Sequence, residues 1–209
     1  YTLSLHDALP IYYRASIDDP RIDRVRVLRP QEIPTYIEQG LFDLGITGRD
    51  WIAETDADVV SLGELKYSKA TSNPVRVIMA VPEGAPWQQV SDLPEGVRIS
   101  TEFPALTRRF LDKHGVKATV VPSYGATEAK VPDIVDAIVD LTETGSSPRQ
   151  NGLRILDTRL ASDPHLAAHR HEPAPQLQQV LGEPLVVVRP GEQQRPVVAH
   201  RRQVPPRVR

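Results

Sequence analysis

From about residue 25 to residue 156, short apolar runs alternate with segments of helical apolar spacing, punctuated by Gly or Pro, and this alternation restricts the chain to an α/β fold. Strand-length runs cover 25–28, 43–47, 59–62, 97–101, 118–121 and 137–141. Pro30 opens a helix where its missing N–H costs little, Ile33, Tyr36 and Ile37 follow at helical spacing, and Gly40 suits the left-handed closing position. Pro34 falls within that helix's first turns. Gly48 leads into a helix carrying Trp51 and Ile52, another spans 104–114 with Leu106, Phe110 and Leu111 on one face, and one more is expected around 129–135. Mostly parallel sheets follow from this order.

Two extended stretches, PVRVIMAV at 74–81 and 153–156, read as crossings between lobes. The chain then divides into an incomplete first lobe over 12–80, a second lobe over 81–152 and a return crossing over 153–160. The expected architecture is α/β, two-lobed and periplasmic-binding-protein-like of type II, with two crossover strands. Small ligands bind in the hinged cleft of such folds.

Composition marks where this pattern stops. Residues 161–209 hold 8 of the 20 Pro, no Lys and no aromatic, and their seven Arg against four acidic residues give +3. The remaining 18 basic and 23 acidic residues give the body −5. The tail's charges lie scattered among Pro, Gln and Val without a basic run or a stacking aromatic, so no nucleic-acid partner is expected. Only 176–181 and 184–188 suggest a short helix and a strand there. Residues 1–11, YTLSLHDALPI, are an apolar scrap without a start methionine that resembles translated sequencing-adaptor read-through, and the tail resembles a GC-rich gene read out of frame. Neither end is expected to belong to the fold.

The absence of Cys excludes disulfides, thiolate nucleophiles and Cys-ligated zinc. No window approaches the roughly 20 continuous apolar residues of a membrane-spanning helix, and no signal-type leader is seen. A cytoplasmic protein without a membrane partner is expected.

Chemistry concentrates in DAIVDLTETGSS, residues 136–147, where an apolar strand ends in an acidic residue and runs into Thr-Gly-Ser-Ser and a helix start. Gly145 lets backbone approach an anion closely, Thr144, Ser146 and Ser147 offer hydroxyl donors, and the helix start favours a phosphate. Asp140 and Glu143 stand where carboxylates accept hydrogen bonds from ribose hydroxyls or hold a divalent metal through oxygen. The competing reading is a Ser/Thr-capped turn. Arg49, Arg108 and Arg109 are candidate phosphate clamps, against a solvated helix face for Arg108 and Arg109. Asp50 is a substrate contact or a cap, Glu128 a site residue or a surface carboxylate, and His114 interacts with the end of its helix.

GATEAKVPDIVDAIVDLTETGSS (125–147) closely resembles the signature of the ATP phosphoribosyltransferases, the first enzymes of histidine biosynthesis. RPQEIPTYIEQGLFDLGITGRDW (29–51), ISTEFPALTRRFLDKHG (99–115) and NGLRILDT resemble further motifs of that family in its order, so the likeness runs from about residue 13 to 160. It implies attack of an adenine ring nitrogen of ATP on the anomeric carbon of phosphoribosyl pyrophosphate, assisted by Mg2+. The loop Thr144, Gly145, Ser146, Ser147 then cradles the 5-phosphate, while Asp140 and Glu143 face the ribose as catalytic residues. Arg49, Asp50, Arg108 and Glu128 become further substrate contacts, and a homo-oligomer is expected of an intact chain.

Ser147 stands where the family usually has Thr, and Pro148 where it usually has Leu, a position at which Pro is tolerated. The family's opening Leu-Pro-Lys-Gly-Arg-Leu segment has no counterpart here, which predicts a partial or impaired enzyme. The rival functions are a non-catalytic two-lobed small-molecule binder, which has no need of the TETGSS loop, and an inactive partner subunit.

Overall fold

A computed structural model of the chain describes residues 14–15, 22–65, 75–162, 164–170 and 197–201. In chain order the elements are β1 (Arg14–Ala15), β2 (Ile22–Val27), α1 (Ile33–Glu38), β3 (Leu44–Gly48), α2 (Arg49–Thr55), β4 (Val59–Glu64), β5 (Val75–Pro82), β6 (Val97–Thr101), α3 (Pro104–Lys113), β7 (Ala118–Pro122), β8 (Ala137–Thr142), α4 (Ser146–Gln150), β9 (Leu153–Ser162), β10 (Pro164–His169) and β11 (Val197–Arg201). They fall into two units: Tyr1–Thr47, Asp58–Gly63 and Leu166–Arg209 make the first, and Gly48–Ala57 with Glu64–His165 the second. This is the two-lobed α/β architecture expected, with the chain entering the second unit for its long stretch at Glu64 and returning to the first after His165.

The first unit is a six-stranded sheet in the order β1-β2-β11-β3-β10-β4. Its helix α1 starts with Pro34 in the first turn and buries Ile33 and Ile37. Gly40, at φ +70°, closes it, with Gly40 N–H bonded to the Ile37 carbonyl and Leu41 N–H to the Tyr36 carbonyl, both at 2.9 Å. That pair of bonds satisfies the last carbonyls in the way a Schellman ending does. Residues 164–169 and 197–201 lie within the stretch 161–209 expected to stand outside the fold, yet they are strands of this sheet, and Ala167 and Ala168 are fully buried. β11 pairs antiparallel with both β2 and β3.

The second unit is a five-stranded sheet in the order β7-β6-β8-β5-β9. β6 is parallel to β7 and β8, whereas β5 runs antiparallel to β8 and β9. The expectation of mostly parallel sheets is therefore corrected: the crossing strand β5 runs against the other four strands of its sheet, and the first sheet has antiparallel pairs as well. β5 is buried on both faces, with Val77, Met79 and Val81 in one cluster beside Ile99, Phe103 and Val139, and Ile78 and Ala80 in another beside Val135 and Ile138. A strand covered on both sides cannot alternate, which accounts for the continuous apolar run. The return strand is longer than expected, reaching Ser162.

No helix forms at 129–135. A single 3-10 turn, Glu128–Lys130, is followed by turn structure into Val135, because Pro132 supplies no N–H for a helical ladder. Residues 1–11, 176–181 and 184–188 lie outside the described residues.

Two polar contacts hold the second unit's helices and turns in place. Glu54 of α2 caps α3: its Oε1 accepts from Ala105 N–H at 2.9 Å and its Oε2 from Leu106 N–H at 2.7 Å. Phe103, at the cap position itself, has no side chain for this task. Glu54→Ala is expected to lower unfolding free energy by about 1–3 kcal/mol, read by urea titration, because two orphan amides lose charge-assisted bonds. A variant as stable as the parent would refute that capping role.

Asp136 accepts from Arg98 at its backbone N–H (2.8 Å), Nε (3.1 Å) and guanidinium NH2 (2.8 Å). Those side-chain hydrogen bonds hold the Asp136 carboxyl below the usual carboxylate value. A depressed folded value stabilises above the unfolded one, near 3.9, and the contribution is lost as pH falls through it. Asp136→Asn is accordingly expected to cost about 0.5–1 kcal/mol at pH 7, the range for a partly exposed pair. That difference should shrink progressively in unfolding measured at pH values lowered below about 4.

Candidate functional site

In the second unit the carboxyl ends of the parallel strands β6, β7 and β8 gather the polar residues. β8 ends with half-buried Asp140 and buried Thr142, and the chain then bends through Glu143, Thr144 and Gly145 into the short α4. Gly145 makes the bend, in a left-handed conformation at φ +75°. Its N–H donates to Thr142 Oγ1 at 2.8 Å, so the turn is secured to the strand it leaves. The Thr144 and Ser146 hydroxyls lie 2.8 Å apart, and Ser146 N–H donates to Thr144 Oγ1 at 3.3 Å. Arg149 reaches back from α4 to donate to the Thr144 carbonyl at 3.0 Å.

Glu128 joins this loop from the preceding turn. Its carboxylate accepts from the Ser147 hydroxyl at 2.6 Å, so signature residues nineteen positions apart become neighbours. Asp140 accepts from Leu141 N–H at 2.7 Å. Burial pushes the Asp140 carboxyl up, reinforced by the negative charge of Glu128, while the hydrogen bonds from Leu141 and Thr127 and the charge of Lys130 oppose that rise. Glu102, just past β6, is also pushed up, first by burial and then by the charge of Asp140, with Lys130 again opposing.

The structure thus brings together Asp140, Thr144, Gly145, Ser146, Ser147 and Glu128. Glu143 is half-buried in the same turn and engaged within the protein. The remaining candidates stand elsewhere in the unit. Arg49 is exposed at the head of α2, and Asp50 beside it is only 2% exposed and engaged within the protein, which favours packing over ligand contact. Arg108 is exposed and lines a shallow cavity with Gly96, Lys117 and Ala118 at the amino ends of β6 and β7, the opposite end of the sheet from the loop. Arg109 donates to the Ala53 carbonyl and ties α3 to α2. His114 holds the Phe110 carbonyl through Nδ1 at 3.0 Å, at the end of its helix as expected.

Sequence reading missed Glu102, Thr127 and Lys130, which act on Asp140, and Ser100 and Ser123, which Lys130 reaches. The available signal was positional. IST-E and VVP-S place polar residues at the carboxyl ends of apolar strands, as DAIVD-LTET does, and ligands of open α/β sheets bind at those ends. Among the described residues no group of three or more His, Asp or Glu forms a ready-made metal cage.

A family model described as HisG, ATP phosphoribosyltransferase, matches residues 29–183, past the point near 160 where the likeness was expected to end. Curated ATP phosphoribosyltransferases from Chlorobium chlorochromatii (strain CaD3) and Desulforudis audaxviator (strain MP104C) are 52% and 49% identical to the chain over 158 residues. The aligned stretch is 76% of this chain but 53% and 54% of theirs, so the chain spans about half the length of the curated relatives it matches. Among solved structures, the ATP phosphoribosyl transferase (HisG:HisZ) complex from Thermotoga maritima superposes with a TM-score of 0.64 at 27% identity, covering 77% of this chain and 82% of that one. XAC2383 from Xanthomonas citri, bound to chloride ion, shares the fold alone, with a TM-score of 0.52 at 13% identity over 75% of this chain and 69% of that one.

Proposed function

Because the chain belongs to the ATP phosphoribosyltransferase family, we propose that its second unit binds phosphoribosyl pyrophosphate on the loop Thr144–Ser147 and presents it to ATP, in the first step of histidine biosynthesis. The observation that carries the reading is the left-handed Gly145 turn, which displays the hydroxyls of Thr144, Ser146 and Ser147 beside Asp140 and Glu128. A ring nitrogen of the adenine forms the new bond to the anomeric carbon with its lone pair. The bond from that carbon to pyrophosphate breaks, and the leaving group keeps the electrons.

A neutral nitrogen nucleophile needs no Ser, Cys or His to activate it, so this chain's residues act by positioning and by charge. The loop hydroxyls hold the 5-phosphate. Asp140, with Glu143 next to the loop, faces the ribose as positive charge develops on it. Arg49 supplies a phosphate contact in this reading, and Glu128 keeps Ser147 oriented. No ready-made cage surrounds Asp140 among the described residues, and its carboxylate would be the protein ligand for Mg2+ brought in with the substrate, since Mg2+ favours substrate phosphates plus one or two carboxylates. When bound, the ion would neutralise charge on the leaving group. Homo-oligomeric assembly and a cytoplasmic location complete the proposal. No helix among the described residues is long and apolar enough to cross a membrane.

The test is thermal unfolding with and without phosphoribosyl pyrophosphate and Mg2+. A site-specific ligand at a hundred times its dissociation constant adds about 2.7 kcal/mol, which for a chain of this size raises Tm by roughly 5–10 °C. An unchanged Tm with the complete ligand would refute the site.

A further inference from the structure

The proposed reaction leaves one polar chain unexplained. Ser100, Ser123 and Thr127 are buried, at 0%, 5% and 2% exposure, and half-buried Lys130 is bonded to two of them. Its Nζ lies 2.5 Å from Ser123 Oγ and 3.4 Å from Ser100 Oγ. Ser123 Oγ lies 2.9 Å from Thr127 Oγ1, and the Thr127 side chain adjoins the Asp140 carboxyl, which it helps to hold down against the effect of burial. Lys130 forms no ion pair among the described residues, so its ammonium is committed to hydroxyls rather than to a carboxylate.

The direction of this chain follows from counting hydrogens. An ammonium only donates, and a hydroxyl has one hydrogen to give. Lys130 therefore occupies the acceptor side of Ser123. The hydrogen of Ser123 goes onward to Thr127 at 2.9 Å in preference to the Gly125 carbonyl at 3.4 Å. Thr127, having accepted from Ser123, is left with its own hydrogen to offer to the adjoining Asp140. Without the ammonium nothing sets this polarity: Thr127 can turn its hydrogen to Ser123 and present lone pairs to a carboxylate.

We infer that Lys130 is a positioning residue: its ammonium orders the hydroxyls of Ser123 and Thr127 in one direction and so orients the Asp140 carboxylate at the carboxyl end of β8. The part Asp140 then plays against the ribose rests on the proposed function. The ordering of the chain does not.

Two measurements separate these claims. In calorimetry with Mg2+ and phosphoribosyl pyrophosphate, Lys130→Met is expected to weaken binding by about tenfold or more, the scale of one charge-assisted hydrogen bond, and Lys130→Arg to recover most of the loss. A Lys130→Met dissociation constant equal to the parent's, with Gly145→Val still abolishing binding, would overturn the inference and leave the site intact. The second measurement needs no ligand. A double-mutant cycle of Lys130→Met with Asp140→Ala on the unfolding equilibrium should show a coupling of about threefold or more, lost when the cycle is repeated in a Thr127→Val background. A coupling that survives Thr127→Val would mean that the charge acts directly through space, and no coupling would mean that it does not act at all. Either result overturns the inference, even if the parent protein binds no phosphoribosyl pyrophosphate.

Discussion

Gly145→Val is expected to abolish binding of phosphoribosyl pyrophosphate, by at least about a hundredfold in dissociation constant, while leaving a folded protein. Gly145 sits at φ +75°, where a β-branched side chain is strained wherever the space allows it. Space does not allow it either: a Cβ there would meet Ile155 Cδ1 at 3.2 Å and Arg149 NH1 at 3.3 Å. The guanidinium is the far end of a long, exposed side chain and can move at the cost of its bond to the Thr144 carbonyl. Ile155 is not so free, because it packs against the cluster of Ile78, Ala80, Val135, Ile138 and Leu153.

The backbone must therefore shift, and with it the bond from Gly145 N–H to Thr142 Oγ1 that secures the turn. Strain of this kind costs about 1–3 kcal/mol, less than most domains have in reserve, so the loss should appear in binding before it appears in folding. Gly84→Ala is the control, since nothing lies within 4 Å of a Cβ there and its φ is outside the left-handed region. Calorimetry on both variants decides the matter. A Gly145→Val protein binding within about threefold of the parent would refute the cradle, and a failure to fold would be seen as a lost cooperative melt.

The second large effect is structural. Phe103→Ala is expected to lower unfolding free energy by about 3–5 kcal/mol. Phe103 is fully buried, its ring centroid is 4.6 Å from that of Trp51 at a tilt of 39°, and it belongs to the cluster that also contains Met79, Ile99 and Val139. Its backbone turns the corner from β6 into α3, with its N–H bonded to Thr101 Oγ1 at 2.9 Å. Neighbours on so many sides cannot all collapse into the vacated volume, so both the transfer and the cavity contributions apply. Urea unfolding should show a reduced midpoint at an unchanged slope, and Tm should fall by roughly 10 °C. Phe103→Leu should cost less than half as much, and an alanine variant within about 1 kcal/mol of the parent would refute the cluster's role.

Local signals carried far in this chain. Pro at a helix start and Gly at its end are read correctly for α1, and α3 closes on Gly115 in the same way, at φ +68° with Val116 N–H returning to the Leu111 carbonyl at 3.0 Å. Apolar spacing predicts β6, β8 and α3 nearly to the residue. The reading failed where one residue outweighed a pattern, as Pro132 does at 129–135, and where composition stood in for structure, as in the Pro- and Arg-rich end that nevertheless supplies two strands.

The sequence by itself determined the α/β class, the family, and the identity of the Thr-Gly-Ser-Ser turn, because these rest on contiguous residues whose backbone preferences and hydrogen-bonding groups act within a few positions of one another. Only the tertiary structure decided which distant side chains share that turn. Glu128 reaches Ser147 across nineteen residues, Glu54 caps a helix fifty residues away, and Lys130 meets Ser100 and Ser123 from the ends of two other strands. It also set Arg108 beside Gly96, Lys117 and Ala118, at the end of the sheet away from that turn. The physical reason is that strand order and direction, set by burying β5 on both faces, choose which strand ends lie side by side, and no local preference encodes that choice.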